Sequence, residues 1–151
     1  MSRLLLVAPF VIVLATVIPA RAEKVPLSPE ELRSTATHVV VGKVTAVYTR
    51  TETSGDWKYT HYIAEVRIAE TEKGEGLKNG DVVYARYWQR QWVSKEKQPP
   101  STIGHRGLPG QGETIRVYMA RNAYDGFGNT NDGGFNVIGA NGFEEVKPAR
   151  K

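Results

Sequence analysis

Thr37 to Arg50 reads THVVVGKVTAVYTR, and Trp57 to Glu72 reads WKYTHYIAEVRIAETE. The first stretch is dense in β-branched residues, which suit a pleated, half-buried surface. Gly42 inside it marks a bulge or bend. The second stretch alternates with period two: Tyr62, Ala64, Val66 and Ile68 fall on one face, and His61, Glu65 and Arg67 on the other. That is the period of a strand. Ser54-Gly55-Asp56, between them, is a turn. Two long strands joined at a tight turn set the character of the whole chain.

Working outward, Lys73 to Asp81 is a Gly- and Lys-rich connection ending in the turn dipeptide Asn79-Gly80. Val82 to Val93 is a third long strand, and Ser94 to Gly112 a polar loop with Pro99-Pro100, Gly104, Gly107, Pro109 and Gly110. Glu113 to Arg121 is a fourth strand, with Ile115, Val117 and Met119 facing inward, followed by a Gly/Asn/Asp loop over Asn122 to Gly133. Phe135 to Ala140 and Phe143 to Val146, joined across Asn141-Gly142, are expected to form a closing hairpin. Pro148 to Lys151 reads as a disordered tail. Upstream, Ser28-Pro29-Glu30-Glu31-Leu32 is a helix start: Ser28 caps, Pro29 suits the first helical position, and Glu31 completes a capping box. The helix ends near Thr35 or Ala36. One short helix with five or six strands, two of them long enough to bend across a barrel, predicts an all-β fold and a small closed or nearly closed barrel.

The first 22 residues have a separate role. Arg3, the apolar run Leu4 to Ile18 and the A-x-A triplet Ala20-Arg21-Ala22 follow the order of a secretory signal peptide. The run is short against the roughly 20 apolar residues of a membrane span. Cleavage after Ala22 gives a secreted or periplasmic chain whose single domain is 23–147. The chain has no cysteine, so an exported domain of this size must stand on packing rather than on disulfides. The same absence excludes thiolate zinc sites, thiol nucleophiles and lipidation at a cysteine. Loss of Arg3 and Arg21 with the leader lowers the formal net charge from +4 to +2. That is too mild to point to a polyanion, and no nucleic-acid partner is expected.

At Thr37 to Val47 the chain reads THVVVGKVTAV directly after the short capped helix. This resembles the opening strand of netrin-type secreted domains, the oligomer-binding-fold group that includes the tissue inhibitors of metalloproteinases. YIAEVRIAETEKG, from Tyr62 to Gly74, resembles their second strand running into a Lys-Gly turn, and LPGQGETIRVYMA, from Leu108 to Ala120, resembles the segment where a turn precedes an apolar strand. The resemblance implies a five- to six-stranded OB-like barrel with a secreted binding role. The family's cysteines are absent, including the amino-terminal one through which the metalloproteinase inhibitors act, and Glu23 cannot replace it. Protease inhibition is therefore not implied, because fold analogy is not function.

The sharpest local feature is Tyr84 to Trp92, YARYWQRQW. Tyr84, Arg86, Trp88, Arg90 and Trp92 share one strand face, and Trp57, Tyr59 and His61 on the preceding strand stand ready to lie beside it. Interleaved Arg and aromatics can stack sugars or bases while pairing anionic groups. The plainer reading is a ladder in which each Arg stacks on a neighbouring Trp and nothing binds. Outside the cytoplasm, a glycan or a protein partner fits this face better than nucleic acid does.

Other motifs are weaker. Asp125 to Gly134 carries calcium-type oxygens, but Phe127 and Thr130 occupy positions where an EF-hand loop needs a ligand and a glycine. His38, His61 and His105 show no zinc spacing, so no metal and no cofactor is expected. Glu70 with Glu72, and Glu144-Glu145, read as edge-strand solubilising pairs, and no serine sits in a G-x-S-x-G context. The leading expectation is a non-catalytic binding module using Trp57, Tyr59, Tyr84, Arg86, Trp88, Arg90 and Trp92. The alternative is a small exported hydrolase using the loop residue His105 with Asp125 or Asp132, which requires the two long loops to converge on one pocket. A third option is an accessory subunit that lends a strand edge to a partner.

Overall fold

The computed structural model describes residues 26–100, 103–121 and 134–147. The expected leader, the Asn122–Gly133 loop with Asp125 and Asp132, and the tail at 148–151 lie outside the described residues. The elements are α1 (Pro29–Thr35), β1 (His38–Ser54), β2 (Trp57–Lys73), β3 (Val82–Trp92), β4 (Thr114–Ala120), β5 (Phe135–Val137) and β6 (Phe143–Glu145). β1 pairs with β2, β2 with β3, β3 with β5, β5 with β4, and β4 returns to β1, closing a ring of five strands to which β6 adds. The β3–β5 pairing is parallel and the others are antiparallel. The chain is an all-β, OB-like barrel with one short helix.

Alternation fills the ring. Val40 and Val44 of β1, Ala64, Val66 and Ile68 of β2, Val83, Ala85 and Tyr87 of β3, and Ile115, Val117 and Met119 of β4 meet Phe135, Val137 and Phe143 in one buried cluster. The register of β1 against β2 shifts at Val39/Val40, Val41/Gly42 and Val44/Ala46. Such bulges bend a long strand, so that β1 first closes against β4 over His38–Lys43 and then turns away from it. Gly42 sits at one of these shifts because β2 passes too close for a side chain: a Cβ there would run into the Arg67 carbonyl.

Helix α1 seals the outside of the closure. Its Ser28 Oγ accepts from the Glu31 N–H at 3.2 Å, and the Glu31 carboxylate accepts from the Ser28 N–H at 2.8 Å, which satisfies two orphan donors of the first turn. Leu32 and Ala36 then pack with Val39, Tyr118, Ala120 and Ile138 in a second, smaller cluster. Asn141 holds the approach to the helix, accepting from the Leu27 N–H at 2.9 Å and donating to its carbonyl at 2.8 Å. Glu72 of β2 ties the same side together, accepting from Arg33 of α1 at 3.0 Å and from Arg116 of β4 at 2.9 Å, while Arg116 reaches Glu144 of β6 at 2.9 Å.

The expected closing hairpin does not form. β5 and β6 are both antiparallel to β4, so they run in the same direction along successive lengths of one β4 edge. Asn136 and Val137 face Ala120 and Met119, and Phe143, Glu144 and Glu145 face Val117, Arg116 and Ile115. Between them the chain loops out, with the Ile138 N–H donating to the Tyr118 carbonyl at 3.1 Å and the Tyr118 N–H donating to the Gly142 carbonyl at 2.9 Å. Asn141-Gly142 therefore lies within an interruption of a single strand course. No helix among the described residues is long and apolar enough to cross a membrane.

Candidate functional site: the outer face of the first three strands

Beyond the barrel, Tyr48–Ser54 of β1, Trp57–Ile63 of β2 and the Arg86–Trp92 half of β3 continue as a three-stranded sheet. The register sets Trp57 opposite Trp92, Tyr59 opposite Arg90, His61 opposite Trp88, Ile63 opposite Arg86 and Glu65 opposite Tyr84. On the other side of β2, Glu52 faces Tyr59, Arg50 faces His61 and Tyr48 faces Ile63. Residues directly opposite share a sheet face. All seven residues singled out from the sequence thus stand in two adjacent rows on the outer surface, divided into a tip and a root.

At the tip the side chains satisfy one another. The Trp57 and Trp92 rings meet edge to face with centroids 5.0 Å apart, and the Arg90 guanidinium lies 4.3 Å from the Trp57 ring centroid on the diagonal. Tyr59 lies 6.3 Å from His61 and 6.3 Å from Trp88. The Trp92 indole N–H donates to the Glu96 carbonyl at 2.8 Å, and His61 Nε2 lies 3.2 Å from a Glu52 carboxylate oxygen. Each aromatic here is half-buried by its neighbours.

The root is different. Tyr48, Ile63, Tyr84 and Arg86, with Gly134 at its border, line an open groove of about 400 Å³. Tyr48, Ile63 and Tyr84 are 54%, 37% and 46% exposed, and they account for three of the five exposed large apolar side chains among the described residues. Large apolar groups gathered on one surface mark an interaction site more often than scattered ones do. Glu65, beside Tyr84, is held in place: Thr45 donates to one of its carboxylate oxygens at 2.6 Å and the Tyr48 hydroxyl donates to the other at 3.3 Å. The Glu65 charge, then desolvation, pushes the Tyr48 hydroxyl above its ordinary range and keeps it a donor. Two phenol rings, an aliphatic side chain, a guanidinium and a fixed carboxylate can stack a flat apolar face and pair hydroxyl or anionic groups around it.

Sequence reasoning missed Tyr48 and Ile63. The signal was present: Ile63 falls on the polar phase of the β2 alternation, between His61 and Glu65, where an apolar residue has no core to enter.

His105, expected on a mobile loop, is fully buried. The segment carrying it adds to the free side of β3 through a bridge between Gln89 and Gly104. The Trp88 N–H donates to Nδ1 at 3.1 Å, and Nε2 faces the Val137 carbonyl at 3.1 Å. Nδ1 also lies 3.0 Å from the Trp88 carbonyl oxygen, so one ring nitrogen sits against both backbone groups of Trp88 and the other against β5. Gly104 has φ +98°, and a Cβ there would strike the Trp88 carbonyl, so this close approach requires glycine. Among the described residues there is no group of three or more His, Asp or Glu side chains able to hold a metal ion. No family model, no curated protein and no solved structure matches the chain.

Proposed function

We propose that this chain is a secreted or periplasmic, non-catalytic binding module that takes a glycan on the outer face of β1–β2–β3, with a protein partner as the other occupant this face suits. The observation that carries the reading is the convergence of Tyr48, Ile63 and Tyr84 around Arg86 in one groove. This is the strand face on which OB-type barrels bind oligosaccharides and oligonucleotides. The phenol rings supply stacking area, Arg86 pairs carboxylate or sulfate groups, and Glu65 accepts from sugar hydroxyls. The hydrolase alternative draws no support from His105, whose two ring nitrogens face backbone groups inside the core.

The test is calorimetric and fluorescence titration of the purified chain with anionic and neutral polysaccharides. A saturable response that weakens with salt is expected, with Tyr84→Ala and Arg86→Ala each losing about tenfold or more in affinity while the native fold persists. Undiminished binding by both variants, or no binding across the panel, refutes the assignment.

A further inference from the structure

Closure into a ring removes most sheet edges, yet among the described residues one long edge stays open. β4 covers β1 only from His38 to Lys43, and beyond it Val44 exchanges backbone hydrogen bonds with Gly112 and Glu113. From Tyr48 to Ser54, β1 pairs with β2 alone among the described residues. The far side of the extension is closed, since the Arg90 N–H donates to the Ile103 carbonyl and the His105 N–H to the Trp88 carbonyl. The open run, Tyr-Thr-Arg-Thr-Glu-Thr-Ser, has no proline, no lysine and no bulge, three of the devices that block such an edge, and its two charges are of opposite sign.

We propose that two copies of this chain pair antiparallel through the Tyr48–Ser54 edge, about a two-fold axis at Thr51. The run is self-complementary in that register. Thr51 faces its own copy, Arg50 faces Glu52 of the second copy and Glu52 faces Arg50, while Thr49 faces Thr53. An isologous interface requires this reciprocity, and opposite charges and threonine pairs directly across a ladder are favourable. Arg50 and Glu52 side chains are 82% and 50% exposed, so both can reach across the axis; Glu52 uses one carboxylate oxygen on His61, 3.2 Å away, and the other lies toward Arg50. The two neighbouring registers that keep both outer faces on the same side fail on charge. Moving the axis to position 50 sets Arg50 on Arg50, and moving it to position 52 sets Glu52 on Glu52. A slip by an odd number of residues would turn the two outer faces to opposite sides. The paired sheet has six strands, with both grooves and both aromatic rows on one continuous surface. This pairing goes beyond the ligand reading and does not depend on it.

Sedimentation equilibrium on the purified chain tests the pairing. A dimer is expected, weakened about tenfold or more by Arg50→Glu, which sets like charges opposite each other, and restored by Arg50→Glu combined with Glu52→Arg. The chain has no cysteine of its own, so Thr51→Cys introduces one thiol per copy. Its Cα lies about 4.5–5.5 Å from its counterpart across the axis, within disulfide reach, and mild oxidation should cross-link it. Thr49→Cys should not cross-link, since its own copy lies four positions away along the ladder, about 13 Å. A monomer at all concentrations, a dimer indifferent to Arg50→Glu, absent cross-linking of Thr51→Cys, or equal cross-linking of both cysteine variants overturns the proposal.

Discussion

Replacing His105 with alanine should destabilise the fold sharply while leaving the groove residues Tyr48, Ile63 and Tyr84 in place. The ring joins β3, the Ile103–Arg106 segment and β5 at a point with no solvent access. His105→Ala removes the ring nitrogen that faces the Trp88 backbone and the one that faces the Val137 carbonyl, at about 1–3 kcal/mol for each backbone group left buried without that partner. The ring also packs among Tyr87, Trp88 and Phe143, at centroid distances of 6.0, 6.2 and 6.4 Å, and the vacated volume adds about 1–2 kcal/mol. The total, about 3–8 kcal/mol, is a large share of a typical domain stability of about 5–15 kcal/mol. His105→Gln keeps an amide able to reach the Val137 carbonyl and should recover part of the loss. Urea unfolding followed by tryptophan emission measures the midpoints. Native-state hydrogen exchange at the Arg90 amide, which donates to the Ile103 carbonyl at 2.9 Å, reports whether the segment has detached. A loss under about 1 kcal/mol for His105→Ala, with the Arg90 amide as protected as before, refutes a core role for this ring.

Tyr87→Phe should stabilise the protein by up to about 1 kcal/mol. The Tyr87 hydroxyl is buried with no hydrogen-bond partner among the described residues, while its ring keeps its stacking on Tyr62 and its edge contact with Phe143 after substitution. A lower unfolding midpoint for this variant would show that the hydroxyl is satisfied. Glu72→Gln should cost about 2 kcal/mol at neutral pH, since charge-assisted hydrogen bonds from Arg116 and Arg33 are lost. Burial alone would raise the Glu72 pKa, but the Arg116 and Arg33 guanidinium groups outweigh it and hold the carboxyl below its ordinary range. A depressed folded pKa gives stability that is present above the unfolded carboxylate pKa and is lost as pH falls through the folded value. The gap between wild type and Glu72→Gln should therefore close in acid, and a gap constant across that range refutes the ionic account.

The local elements were legible where one physical signal dominated. The Ser28–Glu31 capping box, the period-two alternation of β2 and the Gly42 bulge all appear in the structure as the residues imply. The closing hairpin was misread because Asn141-Gly142 has turn chemistry, and turn chemistry does not say whether the chain reverses or only detours. The detour is decided by β4, which offers one continuous edge to both short strands, and by Leu27, which occupies the Asn141 amide 114 residues away in sequence. His105 was misplaced for a related reason. Gly104 and Gly107 read as a loop, but here a glycine lets the backbone approach Trp88 closely enough to bury the neighbouring imidazole.

The same logic divides the aromatic face. A sheet that runs past its barrel has no core beneath it, and three strands without an apolar face are marginal in water. On its reverse side the Tyr62–Tyr87 stack still belongs to the barrel core, and past it Thr51, Lys58, Thr60, Gln89 and Gln91 offer none. The Trp57, Trp92, Arg90 and Tyr59 cluster therefore acts as the missing core, placed on the outer side, and its edge-to-face and cation–π geometry is what holding three strands together requires. Tyr48, Ile63 and Tyr84 carry no such burden, because Val47, Ala64 and Ala85 already anchor the same strands in or against the core. Apolar groups that the fold does not need, left exposed beside a guanidinium and a positioned carboxylate, are the ones available to a ligand. On this basis Trp57→Ala should lower stability while sparing affinity, and Tyr84→Ala should do the reverse, a double dissociation that unfolding and binding measurements on the two variants can establish or refute.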